Sequence, residues 1–383
     1  MIKYARAAAV IDLTCIAANI GIVKKMVSTN TMVMAVVKAN GYGHGIYEVS
    51  TAALSAGADW LGVATVTEGV FLRRFGINVP ILVLSPVFEE EYENLILNDL
   101  NATIFSLETA KGLSSVASYL MRPVKLHIKI DTGMNRIGYG SRLNEVSQTA
   151  KEILKISALP NLVITGLYSH LATSDSGAEF AKEQFSRFLH IINEIESLGL
   201  HIPIKHISNS GGIINHREFD LSMVRAGVLT YGLAPNSKQE GAKELALLGI
   251  KPALTLKSRV AQVKSIYCGE SVGYSRKFFA SSNMQVATVP IGYGDGLSRA
   301  LSNRGAVLIN GCKCDIIGNV CMDQFMVNAT GANAKLRDEV IIIGMSGDER
   351  IWAEDVACAQ SSINYEVVTA LSERMPRFYI NHS

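Results

Sequence analysis

Eight short apolar runs alternate with amphipathic segments through the first two thirds of this 383-residue chain, and this alternation most limits its fold. The runs are rich in aliphatic and β-branched residues, which is typical of strands buried on both faces. The predicted strands are 32–37, 61–65, 81–84, 102–105, 124–130, 163–168, 204–207 and 223–229. Strands that alternate with helices form parallel βαβ units, and eight such units predict a closed (β/α)8 barrel, a TIM barrel. A doubly wound open sheet is the alternative.

The clearest helix between these strands is predicted over residues 178–198. Apolar residues recur there at steps of three and four, so they form one stripe along the helix. The stripe consists of Ala181, Phe185, Phe188, Ile192, Ile195 and Leu198.

The pattern changes after about Gly241, where strand-like runs replace the helical periodicity. The predicted strands of this part are 256–266, 285–291, 306–309, 313–317 and 339–343. The pair Asn310-Gly311 between two of them is a strong two-residue hairpin signal. We therefore expect two domains, a barrel at 13–241 and a mainly antiparallel β domain at 242–383.

Composition excludes several classes of protein. Lys+Arg 36 against Asp+Glu 34 leaves a net charge of +2, unlike the basic surface of a nucleic-acid-binding protein. No apolar run is long enough to span a bilayer, and no signal-peptide pattern is evident. Hydrophobic residues at 48% and charged residues at 18% fit a globular enzyme with large cores. We expect neither a nucleic-acid partner nor a membrane association.

The cysteines are scattered and form no CxxC pair, which indicates reduced thiols in the cytoplasm. They are Cys15, Cys268, Cys312, Cys314, Cys321 and Cys358. Three of them lie within residues 312–321, but no fourth His or Cys ligand is close by, so we expect no metal site.

A lysine stands where the first predicted barrel strand ends. Lys38 closes an apolar run and precedes a loop rich in glycine. Desolvation lowers the pKa of a lysine, and a neutral amine is a nucleophile toward carbonyl groups. A lysine that simply emerges into solvent is the alternative. Other polar or loop residues also fall at the C-terminal strand ends, where barrel enzymes carry their catalytic groups. They are Asp131, Arg136, His170, Asn209, Ser210, Gly227 and Val228.

Residues 37–45 resemble the attachment segment for pyridoxal 5'-phosphate (PLP) in alanine racemases. Further blocks resemble that family's other motifs, in the family's order, over nearly the whole chain. These blocks are 127–138, 166–170, 206–210, 224–228, 269–274, 290–296, 321–324 and 363–366. The resemblance implies a barrel followed by a β domain, with an N-terminal strand in residues 1–12 that packs with the β domain. It also implies a homodimer with shared active sites.

The resemblance implies an enzyme that interconverts L- and D-alanine and supplies D-alanine for peptidoglycan synthesis. Lys38 is then the residue that holds PLP and one catalytic base, and Tyr274 of the second subunit is the other base. Arg136 and Met322 are implied to bind the substrate carboxylate, and Lys129 is implied as a carbamylated residue. The further implied cofactor-binding residues are Tyr42, His170, Asn209, Ser210, Arg225, Gly227, Val228 and Tyr365.

Chemistry argues for the same assignment of roles. Removing an α-proton from an amino acid and returning one to the opposite face calls for two bases and an electron sink. A tyrosine base needs a nearby cation because a free phenol has a pKa of ~10. Each of these residues has an alternative interpretation when taken singly. Tyr274 could be an aromatic residue on a surface strand, and Arg225 could form an ion pair in the barrel core. Lys129 could form an ion pair with Asp131.

Three other functions compete with this interpretation. A serine racemase or a racemase of broader specificity would carry the same motifs. A PLP-dependent decarboxylase shares the two-domain plan, but its Cys-containing motif is not found here. A non-catalytic PLP carrier needs no second base, so the presence of both Lys38 and Tyr274 argues against it.

Overall fold

The computed structural model describes residues 4–381, which form two compact units. One unit contains residues 17–41 and 49–230. The other contains residues 4–16, 42–48 and 231–381, and its first strand is β1 (Ala7–Asp12).

Eight parallel strands form the barrel of the first unit, and a short strand, Tyr139–Gly140, pairs with one of them. The barrel strands are β2 (Met32–Val36), β3 (Trp60–Val63), β4 (Ile81–Val83), β5 (Asn101–Ile104), β6 (Val124–Asp131), β7 (Leu162–Tyr168), β8 (Ile204–His206) and β9 (Met223–Ala226). Each strand from β2 to β7 pairs in parallel with the next, and β9 pairs in parallel with β2. Between β8 and β9, the N–H of Ser222 donates to Lys205 C=O (3.0 Å) and that of Arg225 to Ser208 C=O (3.1 Å). The ring of strands is nearly closed, which confirms the predicted barrel and excludes the open sheet.

Helices alternate with the barrel strands, and further helices belong to the second unit. The α-helices are α1 (Leu13–Met26), α2 (Ile46–Ser55), α3 (Val66–Arg74), α4 (Tyr92–Leu97), α5 (Leu107–Tyr119), α6 (Val146–Ser157), α7 (Ala178–Ser197), α8 (Ser210–Asn215), α9 (Gln239–Leu247), α10 (Ala353–Gln360) and α11 (Asn364–Thr369). In α7 the predicted stripe is buried at Ala181, Phe188, Ile192 and Ile195. The predicted helix end at 198 is one residue too long, and Leu198 at the end of the stripe is exposed.

The second unit is built on one large, mainly antiparallel sheet. Its other strands are β10 (Leu254–Arg259), β11 (Gln262–Ile266), β12 (Met284–Val289), β13 (Ala306–Ile309), β14 (Cys312–Ile317), β15 (Phe325–Asn328), β16 (Glu339–Ser346), β17 (Glu349–Ile351) and β18 (Arg377–Ile380). The strand order is β11-β12-β15-β14-β13-β16-β10-β1-β18, and β17 pairs with β16. N-terminal strand β1 thus lies between β10 and β18 in this sheet.

Local sequence signals explain two features of this sheet. Asn310 and Gly311 have φ of 51° and 77° and join β13 to β14 as a two-residue turn, which confirms the hairpin. The single strand predicted at 256–266 is wrong, because the chain breaks there into β10 and β11.

The domain limits of 13–241 and 242–383 stay a prediction. Residues 1–3 of the predicted N-terminal strand and residues 382–383 of the predicted β domain lie outside the described residues. Among residues 4–381, no helix combines the length and the apolar character needed to cross a membrane.

Candidate active site

Lys38 lies just beyond the end of β2, in a turn of left-handed backbone. Ala39, Asn40, Gly41 and Tyr42 have φ of 53°, 53°, 61° and 51°. A left-handed conformation costs a residue with a Cβ atom roughly 1–2 kcal/mol. Such a turn persists only where neighbouring groups hold it, which is common at functional sites.

The surroundings of Lys38 favour a neutral amine. The side chain is partly buried. Burial lowers the pKa of Lys38, the positive charge of Arg136 lowers it further, and the carboxylate of Glu68 opposes both effects. This matches the desolvated lysine expected from the sequence rather than a side chain that emerges into bulk solvent.

Arg225 is buried at the end of β9 and donates to two histidines. One terminal nitrogen contacts His206 Nδ1 at 2.8 Å, and the other contacts His170 Nδ1 at 3.2 Å. The second nitrogen also donates to the carbonyls of Ser169 (2.8 Å) and Ile207 (2.9 Å). Among the described residues no carboxylate pairs with Arg225, so the alternative of a core ion pair is not supported.

These contacts determine how the histidines are protonated. An arginine only donates, so His170 and His206 accept at Nδ1 and carry their proton on Nε2. Burial, followed by the charge of Arg225, lowers the pKa of both rings well below the usual value. The pKa of Arg225 is itself lowered by burial to about 10, so it stays protonated near neutral pH. The cluster therefore holds one cation and two neutral rings.

The same chain of hydrogen bonds continues inside the barrel. His206 Nε2 lies 3.0 Å from His127 Nδ1, and burial lowers the pKa of His127 to about 3. The ring of Tyr168 stacks on His206 at 4.7 Å between centroids. Sequence reasoning assigned no role to His127 or His206, although both lie on strands inside the blocks that it singled out.

Lys129 is buried on β6. Its Nζ donates to the Ile130 carbonyl (3.0 Å) and lies 5.0 Å from the centroid of the Tyr168 ring. Burial and the charge of Arg225 lower the pKa of Lys129 to about 7, although Asp131 opposes them. Among the described residues Lys129 makes no ion pair with Asp131, so that alternative is not supported.

Arg136 lies exposed in the loop after β6, and Asp131 shapes this loop. The Asp131 carboxylate accepts the backbone N–H groups of Gly133 (2.8 Å), Asn135 (3.0 Å) and Arg136 (2.9 Å). Burial raises the pKa of Asp131, but these hydrogen bonds outweigh it and the pKa is lowered. The Asp131 carboxylate is therefore charged, and its oxygens already accept backbone N–H groups.

The loops after β8 and β9 form a cluster of hydrogen-bond donors. Ser210 Oγ accepts the N–H of Gly227 (3.0 Å) and that of Leu229 (3.3 Å). The N–H of Val228 meets no acceptor among the described residues. Asn209 does not contribute its side-chain oxygen here, because that oxygen caps α8. A hydroxyl and backbone N–H groups at a helix start suit a phosphate group.

Two of the predicted cofactor-binding tyrosines meet in the second unit. The ring of Tyr42 lies 4.9 Å from that of Tyr231 and 6.3 Å from that of Tyr365, centroid to centroid. Burial raises the pKa of Tyr42 to about 12, so its hydroxyl remains a donor. At Gly43, a Cβ atom would overlap the carbonyl oxygen of Val368, which explains the glycine.

Tyr274 is exposed over 72% of its surface in the second unit. It begins a short turn after Gly273, and Asn319 Nδ2 donates to its backbone carbonyl at 2.8 Å. The phenol therefore projects from an anchored backbone.

Contacts within the second unit orient the Met322 N–H. The preceding carbonyl of Cys321 accepts the Tyr293 N–H (3.1 Å), and the Met322 carbonyl accepts the Gly294 N–H (2.9 Å). Because C=O and N–H of a trans peptide point in opposite directions, the first contact directs the Met322 N–H away from Tyr293. This N–H has no acceptor among the described residues. Arg374, which sequence reasoning missed, also bonds the Met322 carbonyl (3.3 Å).

The first unit thus brings several predicted residues together at the C-terminal ends of its strands. After burial, the pKa of His170 is lowered by the positive charges of Arg225, Lys129, Arg136 and Lys38. Tyr42 and Tyr365 meet in the second unit.

Models of the N-terminal and C-terminal domains of alanine racemase match residues 11–235 and 253–379. The chain belongs to the alanine racemase family. It is 40% identical to an alanine racemase of Methanococcus maripaludis over 97% of this chain and 98% of that protein. An alanine racemase structure from Clostridium difficile is 34% identical, with a TM-score of 0.91, covering 100% of this chain and 97% of that one.

The alanine racemase family is PLP-dependent, and the chain is accordingly a racemase enzyme of this class. An alanine racemase structure from Bartonella henselae is described with covalently bound pyridoxal phosphate. It is 28% identical to this chain, with a TM-score of 0.86, and covers 98% of this chain and 100% of that one. The residues present fit the cofactor: Lys38 is a partly buried amine, and Ser210 and Val228 offer uncharged donors suited to phosphate.

Glu68 is a further site residue that sequence reasoning missed. Its carboxylate accepts the N–H of Ala39 directly after Lys38, at 2.6 Å. The only local signal is the pattern Thr65-x-x-Glu68 before an apolar helix, which predicts a helix cap rather than a contact with a distant loop.

Proposed function

We propose that the protein interconverts L- and D-alanine with PLP by a two-base mechanism. The observation that carries this proposal is the arrangement around Lys38, in which a desolvated amine lies near Arg136 and near the Arg225–His170 pair. Alanine is the substrate named for the relatives. A methyl side chain also suits a site to which Tyr365 contributes.

Lys38 would hold the cofactor covalently at Nζ, with loss of water. Ser210 and the N–H of Val228 would bind its phosphate, and the N–H of Gly227 would do so by exchanging Ser210 Oγ for a phosphate oxygen. The phenols of Tyr42 and Tyr365 would be further donors. Asn209 would act by starting α8, since its side chain caps that helix.

Bound PLP supplies the electron sink that allows the α-proton of an amino acid to leave. Lys38, once free, would move a proton at Nζ on one face of the substrate. The partner subunit's Tyr274 would move a proton at its hydroxyl on the opposite face. Arg136 and the partner subunit's Met322 N–H would bind the substrate carboxylate, which suits an exposed guanidinium and an N–H without an acceptor. His170 would support a phenolate with its Nε2–H, because Nδ1 faces Arg225.

Arg225 would face the ring nitrogen of the cofactor. Since arginine keeps its proton, it would only donate a hydrogen bond there and would keep the electron sink weak. Limiting the sink should suppress side reactions that leave a 2-oxo acid.

An Arg225→Glu variant should therefore form more pyruvate relative to racemised alanine. We expect this ratio to rise at least about tenfold, which corresponds to about 1.4 kcal/mol between the competing barriers. The measurement is pyruvate and D-alanine from L-alanine in the same sample. Arg225→Lys, which keeps the charge, is the control. An unchanged product ratio in a folded Arg225→Glu protein would contradict this role.

Lys129 would be carbamylated, which turns a cation into an anion beside Arg136. Only a neutral amine reacts with CO2, and the reaction releases a proton. Because the pKa of Lys129 is about 7, carbamate occupancy should rise as the pH increases from ~6 to ~8. The measurement is the carbamate signal in carbon NMR with labelled bicarbonate. Lys129→Ala should lose the signal, whereas Lys125→Ala on the exposed face of β6 should keep it. A signal independent of pH, or retained in Lys129→Ala, would contradict the assignment.

The biological role of this activity would be the supply of D-alanine for peptidoglycan. This proposal includes a cytoplasmic location, which is predicted from the cysteines. It also includes a homodimer with shared active sites. A serine racemase or one of broader specificity is the alternative. Comparing turnover of alanine, serine and lysine separates these functions.

The direct test is circular dichroism of L-alanine incubated with the PLP-loaded protein. We expect the signal of the amino acid to decay to zero, and D-alanine to decay to the same end point. A decarboxylase would also abolish the signal, because it converts alanine to achiral ethylamine and CO2, so CO2 and D-alanine are measured in the same sample. Decay with release of CO2 and no D-alanine formed from L-alanine would indicate a decarboxylase and would overturn the proposal.

A further inference from the structure

One carboxylate, that of Glu68, joins the loops that follow β2 and β3. Glu68 is the third residue of α3, and its Oε2 accepts the N–H groups of Ala64 (2.7 Å) and Thr65 (3.3 Å). In return, Thr65 Oγ1 accepts the Glu68 N–H at 3.2 Å, which completes a capping box. The box uses only one carboxylate oxygen. The other, Oε1, accepts the N–H of Ala39 at 2.6 Å.

The Ala39 N–H belongs to the peptide that begins at the Lys38 carbonyl. This peptide is planar, so fixing the N–H direction also fixes the backbone on which the Lys38 side chain is mounted. Ala39 opens the left-handed turn and bears a Cβ atom, so its conformation is unfavourable by itself. A further contact that holds the turn is the hydrogen bond from Gly41 N–H to Val37 C=O, at 2.8 Å.

The charge of this carboxylate also acts on Lys38. Burial and Arg136 both disfavour the protonated form of Lys38, whereas Glu68 favours it. Glu68 thus partly offsets the effect of Arg136, and its positioning role rests on its hydrogen bonds alone.

We propose that Glu68 is a positioning residue that locks the Lys38–Ala39 peptide and so aims the Lys38 amine at the aldehyde of PLP. The inference rests on the proposed function, in which Lys38 carries the cofactor. It extends that function to a residue in the first turn of α3, a residue that touches neither cofactor nor substrate.

The test compares Glu68→Gln with Thr65→Ala in the full-length protein. A glutamine has one acceptor oxygen, so it cannot serve Ala39 on one side and Ala64 and Thr65 on the other. Thr65→Ala removes the other half of the same capping box and leaves the Ala39 contact intact. Both variants should lower the unfolding temperature to a similar extent, because both weaken the cap of α3.

The decisive measurement is the affinity of the apoprotein for PLP, followed by absorbance and by borohydride trapping with peptide mapping. We expect Glu68→Gln to weaken PLP binding by about tenfold, equivalent to about 1.4 kcal/mol, and Thr65→Ala by less than about twofold. Glu68→Asp keeps the charge but shortens the side chain, so it should retain the stability of the cap and still bind PLP more weakly. If Glu68→Gln does not fold, Glu68→Asp replaces it in the comparison with Thr65→Ala.

The outcomes separate this inference from the proposed function. Equal PLP affinities in Glu68 and Thr65 variants would overturn the positioning role and leave Glu68 as a helix cap alone. If wild-type protein gives no pyridoxyl adduct on Lys38, the proposed function fails and the inference fails with it. Weaker binding in the Glu68 variants alone supports the positioning role.

Discussion

A Lys38→Ala variant is expected to carry no pyridoxyl adduct after borohydride reduction and to lose racemisation. The variant lacks both the covalent attachment point and one proton-transfer group. A single proton-transfer group is worth about 10²–10⁴ in rate, so we expect the turnover number to fall by at least about 10³-fold. The measurement is peptide mapping of the reduced protein together with polarimetric assay of L-alanine.

Two other lysines make this experiment specific. Lys129 is also buried, and its lowered pKa makes it a competing nucleophile. Lys125 lies on the same strand but is exposed, with its Nζ 3.5 Å from Asp99 Oδ1. The Lys125→Ala variant should therefore behave like wild type. An adduct that maps to Lys129, or one that survives in Lys38→Ala, would overturn the account of the site.

A Tyr274→Phe variant is expected to lose racemisation by about 10³-fold, because only one of two bases remains. Proton exchange at the α-carbon should persist for one enantiomer and stop for the other. The measurement is NMR of L- and D-alanine incubated separately in deuterated water. Tyr267→Phe is the matched control, since Tyr267 is another exposed tyrosine of the same unit. Full exchange of both enantiomers by Tyr274→Phe would contradict the two-base mechanism.

A mixture of the two inactive variants tests whether sites are shared between subunits. In a Lys38→Ala/Tyr274→Phe heterodimer, one site would combine intact Lys38 with the intact Tyr274 of the partner subunit. Random pairing makes about half of the dimers mixed, each with one intact site, so about a quarter of wild-type activity should return. No recovery after co-expression would place both bases in the same subunit.

The barrel was predictable because its signals are local. Strand-forming runs such as 124–130 and the stripe of α7 depend on the period of apolar residues, which the chain carries regardless of its partners. Errors appeared where a boundary depends on few residues, as at Leu198 and at the break between β10 and β11.

The location of several candidate residues at strand ends was also predictable, because their motifs follow strands, whereas their roles stay a prediction. What those residues do to one another was not predictable. Asn209 was expected at the cofactor, yet its side chain caps α8. Met322 was expected to offer its N–H, but its orientation depends on carbonyl contacts with the distant segment 293–294.

The order of amino acids alone therefore determined the (β/α)8 barrel, the second β unit and the presence of a lysine at the end of the first barrel strand. Folding decided the pKa shifts of Arg225, His206 and Lys129, and the contact of Glu68 with Ala39. The physical reason is the distance along the chain over which each interaction acts. Strand and helix periods are set by near neighbours, whereas a pKa or a loop-to-loop hydrogen bond depends on burial and on groups that are remote along the chain.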